Sequence, residues 1–433
     1  FGGYAGWNKS WGYSHIIFSR FNQKIGMIEG DRDDATGRFL LFTGSPLERI
    51  ATTADLDERS LFVPYQHIKH TRLVSDNNFA IHQSRLKINL AYQNNQRKEY
   101  GNPEDVAEEE LFFDLKTFNY NIQWQLPEIK EWHTSFGVNG MHQSNQNKAE
   151  EVLIPEYNLF DAGVFVYAQR FFKKATLSGG LRYDHRSVDS KAFAEGADVK
   201  FTAFKKTFSN ISGSIGISAE PSEKVTLKAN IARGFRAPTL AELGSNGAHE
   251  GTNRYEYGEQ NLKSETSLQI DAGIDLNYEH FSLGISAFYN RMNRFIFYRK
   301  LQSVLGGDSL VNVDGEDLLT FQFDQHDASL AGVEASLDIH PHPLDWLHFE
   351  NTFSWVRGRF DNAIDGSEAL PLIPAARLVS ELKADFRKAG HLFSNLYFKL
   401  EADQTFAQNN PFTGFDTETR TDGYLLLNAG LGA

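Results

Sequence analysis

The sequence has no cysteine, and it has no apolar run as long as a membrane-spanning helix. Without cysteine there is no disulfide framework, no cysteine-ligated zinc site and no thiol nucleophile. A transmembrane helix needs about 20 consecutive apolar residues, so a helical membrane protein is excluded. The net charge of −13 is opposite in sign to the basic face that nucleic-acid binding requires. We therefore expect no nucleic-acid partner.

The chain also lacks the features that separate domains or direct secretion. No proline-rich or glycine- and serine-rich linker divides it, so one domain is expected over residues 1–433. No basic segment followed by an apolar stretch comes after Phe1. We therefore expect that any secretion signal has been removed or lies upstream.

What the chain has in quantity is alternation of apolar and polar residues. Aromatic residues are numerous, with 35 Phe, 16 Tyr and 6 Trp. Alternation is clear in the segments 84–95, 224–231, 270–278 and 333–339. A side-chain period of two is typical of strands, and the whole chain predicts about 17 of them.

The predicted strands are joined alternately by short and long links. Short turns are predicted at 11–12, 76–78, 127–131, 173–174, 221–224, 279–280, 340–345 and 387–390. Long links are predicted at 29–61, 101–110, 148–159, 187–199, 237–263, 301–317, 360–373 and 409–419. Outer-membrane barrels separate periplasmic turns from extracellular loops in this way. The predicted fold class is therefore all-β, a transmembrane antiparallel up-and-down β-barrel.

One face of the predicted strands carries too much charge for a packed core. Asp271, Asp275, Glu334 and Asp338 alternate with apolar residues, and burying an unpaired carboxylate costs several kcal/mol. These four side chains are therefore expected to face a lumen that holds water or a polar filler.

Several motifs, in order along the chain, resemble those of TonB-dependent receptors. Residues 232–243, Ala-Arg-Gly-Phe-Arg-Ala-Pro-Thr-Leu-Ala-Glu-Leu, resemble the motif by which a barrel strand of this family enters a long loop. Residues 259–265 resemble the Asn-Pro-Asn-Leu-Lys-Pro-Glu stretch that follows it, with Glu259, Gln260 and Ser264 as departures. Further resemblances lie at 332–334, 370–377 and 423–428, and at 154–161 and 181–184, which are similar to receptors from Bacteroidetes-like bacteria.

The resemblance implies the barrel portion of an outer-membrane receptor of the 22-stranded type, incomplete at both ends. The plug domain, the TonB-contacting segment and the closing strands are then expected outside the chain. The implied function is TonB-energised uptake of a scarce nutrient, first of all an iron–siderophore complex, with zinc or haem uptake as alternatives. The implied partners are outer-membrane lipid, the TonB complex and a small-molecule ligand. The implied location is the outer membrane of a Gram-negative bacterium.

Two other classes of protein stay open from the sequence. A passive porin or adhesin barrel would have no plug, and a soluble β-solenoid or multi-sandwich binding protein would be extracted without detergent. No nucleophile motif or catalytic constellation accompanies the serine, histidine and aspartate residues. We therefore expect no enzymatic activity and no intrinsic cofactor.

The loop 244–258 is the strongest candidate for ligand contact. It resembles the histidine-bearing loop of receptors for zinc and, more loosely, for haem. The candidate contacts in it are His249, Glu250, Arg254, Tyr255 and Tyr257. His249 is the candidate metal ligand, and Glu250 offers an oxygen beside it. The alternative is that His249 is an ordinary solvated loop histidine next to an acid.

Arg233 and Arg236, in the first motif, are expected to face the lumen. Their guanidinium groups would pair with an anionic siderophore, with the plug, or with a lumen carboxylate such as Glu334. His340 and His342 have metal-like spacing, but they fall at a predicted periplasmic turn and are interpreted as plain turn residues.

Acidic clusters in the predicted loops are candidates for Ca²⁺, which takes oxygen ligands, or else are solvated loops. Their members are Asp31, Asp33, Asp34, Glu104, Asp105, Glu108, Glu109 and Glu110.

Overall fold

The computed structural model describes residues 1–27, 32–42, 48–249, 254–313, 315–389 and 393–433 of the chain. Two short helices occur among these residues, α1 (Thr53–Asp57) and α2 (Leu240–Gly244). No helix in the described part is long and apolar enough to cross a membrane.

The regular structure is otherwise strand. The first strands in chain order are β1 (Gly2–Lys9), β2 (Gly12–Gly26), β3 (Leu40–Phe42), β4 (Glu48–Ile50), β5 (Tyr65–Ile81), β6 (Ser84–Tyr100), β7 (Leu111–Gln125), β8 (Trp132–Asn147), β9 (Tyr157–Phe172), β10 (Ala175–Ser190), β11 (Phe193–Glu195), β12 (Asp198–Phe201) and β13 (Phe204–Ser222). The remaining strands are β14 (Val225–Arg236), β15 (Asn246–His249), β16 (Arg254–Tyr257), β17 (Glu265–Asn277), β18 (Phe281–Lys300), β19 (Leu310–Val313), β20 (Glu316–Ile339), β21 (Leu347–Ile364), β22 (Ser367–Ala369), β23 (Arg377–Ala389), β24 (Phe393–Thr405) and β25 (Tyr424–Gly432).

Seventeen of these strands form one antiparallel sheet in which each strand pairs with the next one along the chain. Their order is β1-β2-β5-β6-β7-β8-β9-β10-β13-β14-β17-β18-β20-β21-β23-β24-β25. Within the described residues, β1 pairs only with β2 and β25 only with β24. The predicted up-and-down topology and the count of about 17 strands are confirmed.

Short turns join these strands at one end of the sheet, and long links join them at the other. The long links are 27–64, 101–110, 148–156, 191–203, 237–264, 301–315, 365–376 and 406–423. They overlap all eight predicted long links. The end of the sheet that carries the long links is called the loop end below, and the opposite end is called the turn end. The last predicted turn, at 387–390, lies partly outside the described residues.

The turn predicted at 76–78 is wrong, because β5 continues through it and the chain turns at His82, whose φ is 54°. The Asn77 amide donates to Ser75 Oγ at 2.8 Å and to the Ile88 carbonyl oxygen at 3.0 Å. Its Oδ1 atom accepts from Ser14 Oγ at 2.5 Å. An asparagine whose polar atoms are satisfied within the sheet has no need of a turn to satisfy them.

The pairing register separates a polar face from an apolar face. One continuous polar row consists of Asp76, Asn89, Asn121 and Asn139. On the opposite face, Ile215, Ile231 and Ile270 are direct partners and all are exposed. In outer-membrane barrels the apolar face meets lipid and the polar face lines the lumen. The alternation in the sequence therefore predicted correctly which residues share a face.

Ion pairs on the polar face explain how so many charges are accommodated there. Arg186 binds Asp161 through two hydrogen bonds of 2.7 Å each. Lys228 Nζ lies 2.6 Å from the carboxylate of Asp275. Partly exposed pairs of this kind add little net stability, but they neutralise these two carboxylates.

Buried apolar residues gather at the loop end in two clusters. The first cap cluster consists of Tyr157, Leu159, Val188, Phe204, Phe208, Ala237, Leu240, Leu243, Leu262 and Ile296. The second cap cluster consists of Met292, Phe297, Phe321, Ala328, Phe360, Ile364, Leu370, Phe412 and Phe415. Both include residues of long links, so the clusters hold these links against the ends of the strands.

Candidate functional site at the loop end

The link 237–264 begins with a helical turn that is fixed by the first motif. Thr239 caps α2, and the side chains of Thr239 and Glu242 exchange hydrogen bonds with each other's backbone amides. Arg236 binds Glu242 at 2.6 Å and Glu265 at 3.1 Å. Leu240 and Leu243 of α2 are buried in the first cap cluster. The motif therefore anchors the start and the end of the link to one another.

Arg236 is the cation that holds this anchor together. The Glu242 and Glu265 side chains are 12% and 15% exposed, so losing their partner would leave two nearly buried carboxylates. Arg236→Ala is expected to destabilise the link by about 1–2 kcal/mol, less than for a fully buried pair because Arg236 is partly exposed. Hydrogen exchange should show roughly tenfold faster exchange of the α2 amides. Arg233→Ala is the control and should leave these amides unchanged; equal effects would contradict the anchor.

Beyond α2, the link forms a small hairpin that carries the candidate ligand contacts. Strands β15 and β16 pair antiparallel, and β16 also pairs in parallel with β20, with Tyr255 opposite Thr320 and Tyr257 opposite Gln322. The hairpin is thereby attached to a strand of the main sheet.

The two sides of the hairpin have different chemistry. On one side, Arg254 Nε donates to Glu256 at 2.7 Å, and its guanidinium lies 4.4 Å from the centre of the Tyr298 ring. On the other side, the Tyr255 and Tyr257 rings lie 5.0 Å apart. Arg254 therefore already has a carboxylate and an aromatic partner, which fixes the hairpin in place. Among the described residues, the tyrosine side has no ion pair of this kind.

Tyr255 is held as a neutral hydrogen-bond donor. Its hydroxyl donates to Asn246 Oδ1 at 2.9 Å. Burial raises the pKa of the Tyr255 phenol above its ordinary value, and the nearby Tyr257 and Glu195 raise it further. The phenol thus stays protonated across the physiological range.

The predicted metal ligands of the candidate loop fall outside the described part of the structure. Glu250 lies outside the described residues, and so does the side chain of His249, whose backbone ends β15. The assignment of His249 as a metal ligand therefore stays a prediction.

Of the residues predicted to line the lumen, most lie on the polar face. Arg236, Asp271, Asp275, Glu334 and Asp338 all share it. Asp271 accepts hydrogen bonds from Gln269 at 2.7 Å and from Asn230 at 3.1 Å.

The expectation for Arg233 is wrong. It is the direct partner of Leu268 and shares the apolar face with Ile231, while its guanidinium donates to the Ile211 carbonyl oxygen. A long arginine side chain can leave an apolar surface in this way and still reach a polar partner. Arg233 is therefore not available to bind a ligand in the lumen.

A group at the turn end, which the sequence did not predict, brings together Asp338, His340 and His348. Among the described residues it is the one place where the possible ligand atoms of three His, Asp or Glu side chains lie within 4.8 Å of one another. Asp31 lies outside the described residues, and the described acidic residues of the loops do not form a group of this kind. Binding of Ca²⁺ in the loops stays a prediction. Asp338 and His348 are ten residues apart, and only the register of β20 on β21 brings them together.

Comparison with known proteins agrees with this architecture. A family model described as TonB dependent receptor-like, beta-barrel, matches residues 4–433. Over 123 residues, 26% of this chain and 14% of the relative, the sequence is 30% identical to the ferric enterobactin receptor of Pseudomonas aeruginosa.

Solved structures are similar over nearly the whole chain. The copper transporter OprC gives a TM-score of 0.70 at 14% identity, covering 98% of this chain and 62% of its own. The FrpB iron transporter from Neisseria meningitidis (F5-1 variant) gives a TM-score of 0.65 at 13% identity, and the match covers 98% of this chain and 64% of the transporter chain. At these identities the likeness concerns the fold, and this chain spans less than two thirds of each structure. The resemblance to Bacteroidetes-like receptors stays a prediction.

Proposed function

Since the chain belongs to the TonB-dependent receptor family, as a β-barrel part of such a receptor, we propose that it takes up an iron–siderophore complex with energy from the TonB complex. Family members are outer-membrane proteins of Gram-negative bacteria, and this is the location of the chain. The family match over residues 4–433 is the observation that carries the proposal.

Three further features support uptake of an iron complex. The polar face offers a hydrated path between the loop end and the turn end. The loop end carries an anchored hairpin above that path. The relative over 123 residues is a receptor for a ferric siderophore, and one similar fold is an iron transporter.

Tyr255 and Tyr257 are the proposed contacts for the ligand. Their rings lie on the side of the hairpin opposite the Arg254–Glu256 pair. Planar rings can stack on aromatic or conjugated groups of an iron chelate, and the Tyr257 hydroxyl can donate to its oxygens, whereas that of Tyr255 already donates to Asn246. Arg254 would not contact the ligand itself but would position the tyrosines, by holding β16 against Tyr298.

We expect Tyr255→Ala combined with Tyr257→Ala to weaken ligand binding about 10–100-fold, because two stacking rings and one hydrogen-bond donor are lost. The measurement is binding of a panel of ferric catecholate and hydroxamate complexes to the full-length receptor in detergent. Tyr278→Ala, at the turn end, is the control. Unchanged affinity in the double variant would remove the hairpin from the site.

Zinc or haem is the alternative cargo, and His249 and Glu250 would then contribute ligands. Growth under iron limitation and under zinc limitation, with and without the receptor, separates these cases. In the same strains, uptake that persists without TonB would instead indicate a passive porin or adhesin barrel. Iron-limited growth that depends on both the receptor and TonB is the result expected for an iron–siderophore receptor.

A further inference from the structure

Two histidines and one carboxylate converge on the polar face at the turn end, far from the candidate ligand contacts. His340 Nδ1 lies 3.2 Å from Asp338 Oδ2, and His348 Nδ1 lies 3.5 Å from Asp338 Oδ1. The candidate ligand atoms of the three residues lie within 4.8 Å of one another. The two imidazole rings are 5.8 Å apart and inclined by 34°. Each ring has one nitrogen next to the same carboxylate.

Hydrogen bonding accounts for only part of this arrangement. The contact of 3.2 Å between His340 and Asp338 is a hydrogen bond. Asp338 Oδ1, in contrast, is buried from solvent and accepts no hydrogen bond from the described residues, and its contact with His348 Nδ1 at 3.5 Å is an ion-pair contact only. A buried carboxylate oxygen without a hydrogen bond costs free energy that folding does not recover. A cation at this point would supply the missing interaction.

The distances between the imidazole nitrogens and the carboxylate are close to those between neighbouring ligands of a metal ion. With metal–nitrogen and metal–oxygen bonds of about 2.0–2.1 Å, two ligand atoms of a tetrahedral zinc site are about 3.3 Å apart. Each imidazole lies near that distance from one of the two carboxylate oxygens, His340 at 3.2 Å from Oδ2 and His348 at 3.5 Å from Oδ1. Two imidazoles and one carboxylate also form a ligand set that zinc accepts, with a fourth position left for water.

Neighbouring charges favour a cation as well. Glu350 is the direct partner of Asp338 across the hairpin and adds a negative charge on the same face. Lys383 is the partner of His348, but its ammonium lies 3.0 Å from the carboxylate of Asp385. The cationic side chain on the neighbouring strand is thus engaged with an acid of its own.

We propose that Asp338, His340 and His348 bind a divalent, zinc-class cation on the lumen face at the turn end. The site joins β20 to β21 beside the turn that connects them. It is distinct from the candidate ligand contacts, because sixteen residues of β20 separate Asp338 from Gln322, the partner of Tyr257, about 50 Å at the rise of a strand. The proposal does not depend on the nature of the transported ligand.

The test is zinc binding to the full-length receptor in detergent, measured by competition with a chromophoric chelator. Removing a residue that only hydrogen-bonds to a metal ligand weakens metal binding about 10–100-fold. Losing a direct ligand in His348→Ala should therefore weaken zinc binding at least about 100-fold. Asp338→Asn, which keeps the shape of the side chain and removes its charge, should also weaken binding. Co²⁺ bound to the wild-type receptor should give the visible absorption of a tetrahedral site, and His348→Ala should abolish it.

His342→Ala is the matched control, because this histidine is in the same turn but faces His280 and is outside the group. It should bind zinc and Co²⁺ like the wild type. Heat-dependent migration on gels checks that each variant forms the barrel. If wild type and His348→Ala, both folded, bind zinc equally, or if His342→Ala loses the metal to the same extent, the proposal is overturned. Neither result bears on iron–siderophore uptake, which the ligand panel tests separately.

Discussion

Ile231→Arg is expected to lower the free energy of unfolding of the barrel by about 2–4 kcal/mol, the cost of an arginine on the lipid face near the middle of the membrane. Ile231 lies on the apolar face between its direct partners Ile215 and Ile270. It is six residues beyond Val225, the first residue of β14, which is about 14 Å of height for a strand tilted by about 45°. That height is close to the centre of a hydrocarbon core about 30 Å thick, where an arginine is least able to reach water.

Asn230→Arg is the control on the opposite face of the same strand. Asn230 donates to Asp271 at 3.1 Å and its partner on β13 is Gly216, so an arginine there has both space and a carboxylate. Its expected cost is below about 0.5 kcal/mol. The measurement is reversible denaturant unfolding of the receptor in lipid vesicles. Equal penalties at Ile231 and Asn230 would contradict the assignment of the two faces.

The same alternation shows how far the sequence alone could lead. A period of two fixes the face of every residue in a strand once one face is known, and for β14 this predicts Ile231 on the apolar face and Asn230 on the polar face, as observed. Arg233 lies on the apolar face with Ile231, as the period of two requires, although its charge would favour the polar face. Its assignment to the lumen failed because the charge was given more weight than the period.

The turns and links were predicted less accurately than the faces of the strands. The turn proposed at 76–78 rested on residue types that favour turns, but the pairing of β5 with β6 satisfies Asn77 within the sheet. Sequence periodicity also gives no information on pairing between distant segments. Two such features are the parallel pairing of β16 with β20 and the contact of Asp338 with His348. Both depend on the register between strands, which only the folded structure reveals.

The second large effect is expected from a substitution in the aromatic packing at the loop end. The Phe412 ring is fully buried, with its centre 4.6 Å from that of Phe415 and 6.1 Å from that of Phe360. Phe412→Ala should therefore cost about 3–5 kcal/mol within the second cap cluster, the usual range for removing a buried phenylalanine. Since Phe412 belongs to the link 406–423, part of this cost will appear as local opening of that link.

The consequence should extend to the candidate ligand contacts through shared neighbours. Phe321 belongs to the second cap cluster, it is the partner of Glu256 in the pairing of β16 with β20, and its ring lies 5.7 Å from the Arg254 guanidinium. Loosening the cluster should thus loosen the hairpin that carries Tyr255 and Tyr257. We expect faster hydrogen exchange in both 406–423 and β16, and ligand affinity reduced about tenfold, because the hairpin must then be ordered on binding.

Phe406→Ala is the matched control, since this phenylalanine is in the same link but is 42% exposed. It should change the exchange of β16 and the affinity by less than about twofold, as expected for a surface position. If Phe412→Ala accelerated exchange in 406–423 alone, the cluster would hold its own link without supporting the hairpin. If both regions opened while affinity stayed at the wild-type value, the tyrosine side of the hairpin would not be where the ligand binds.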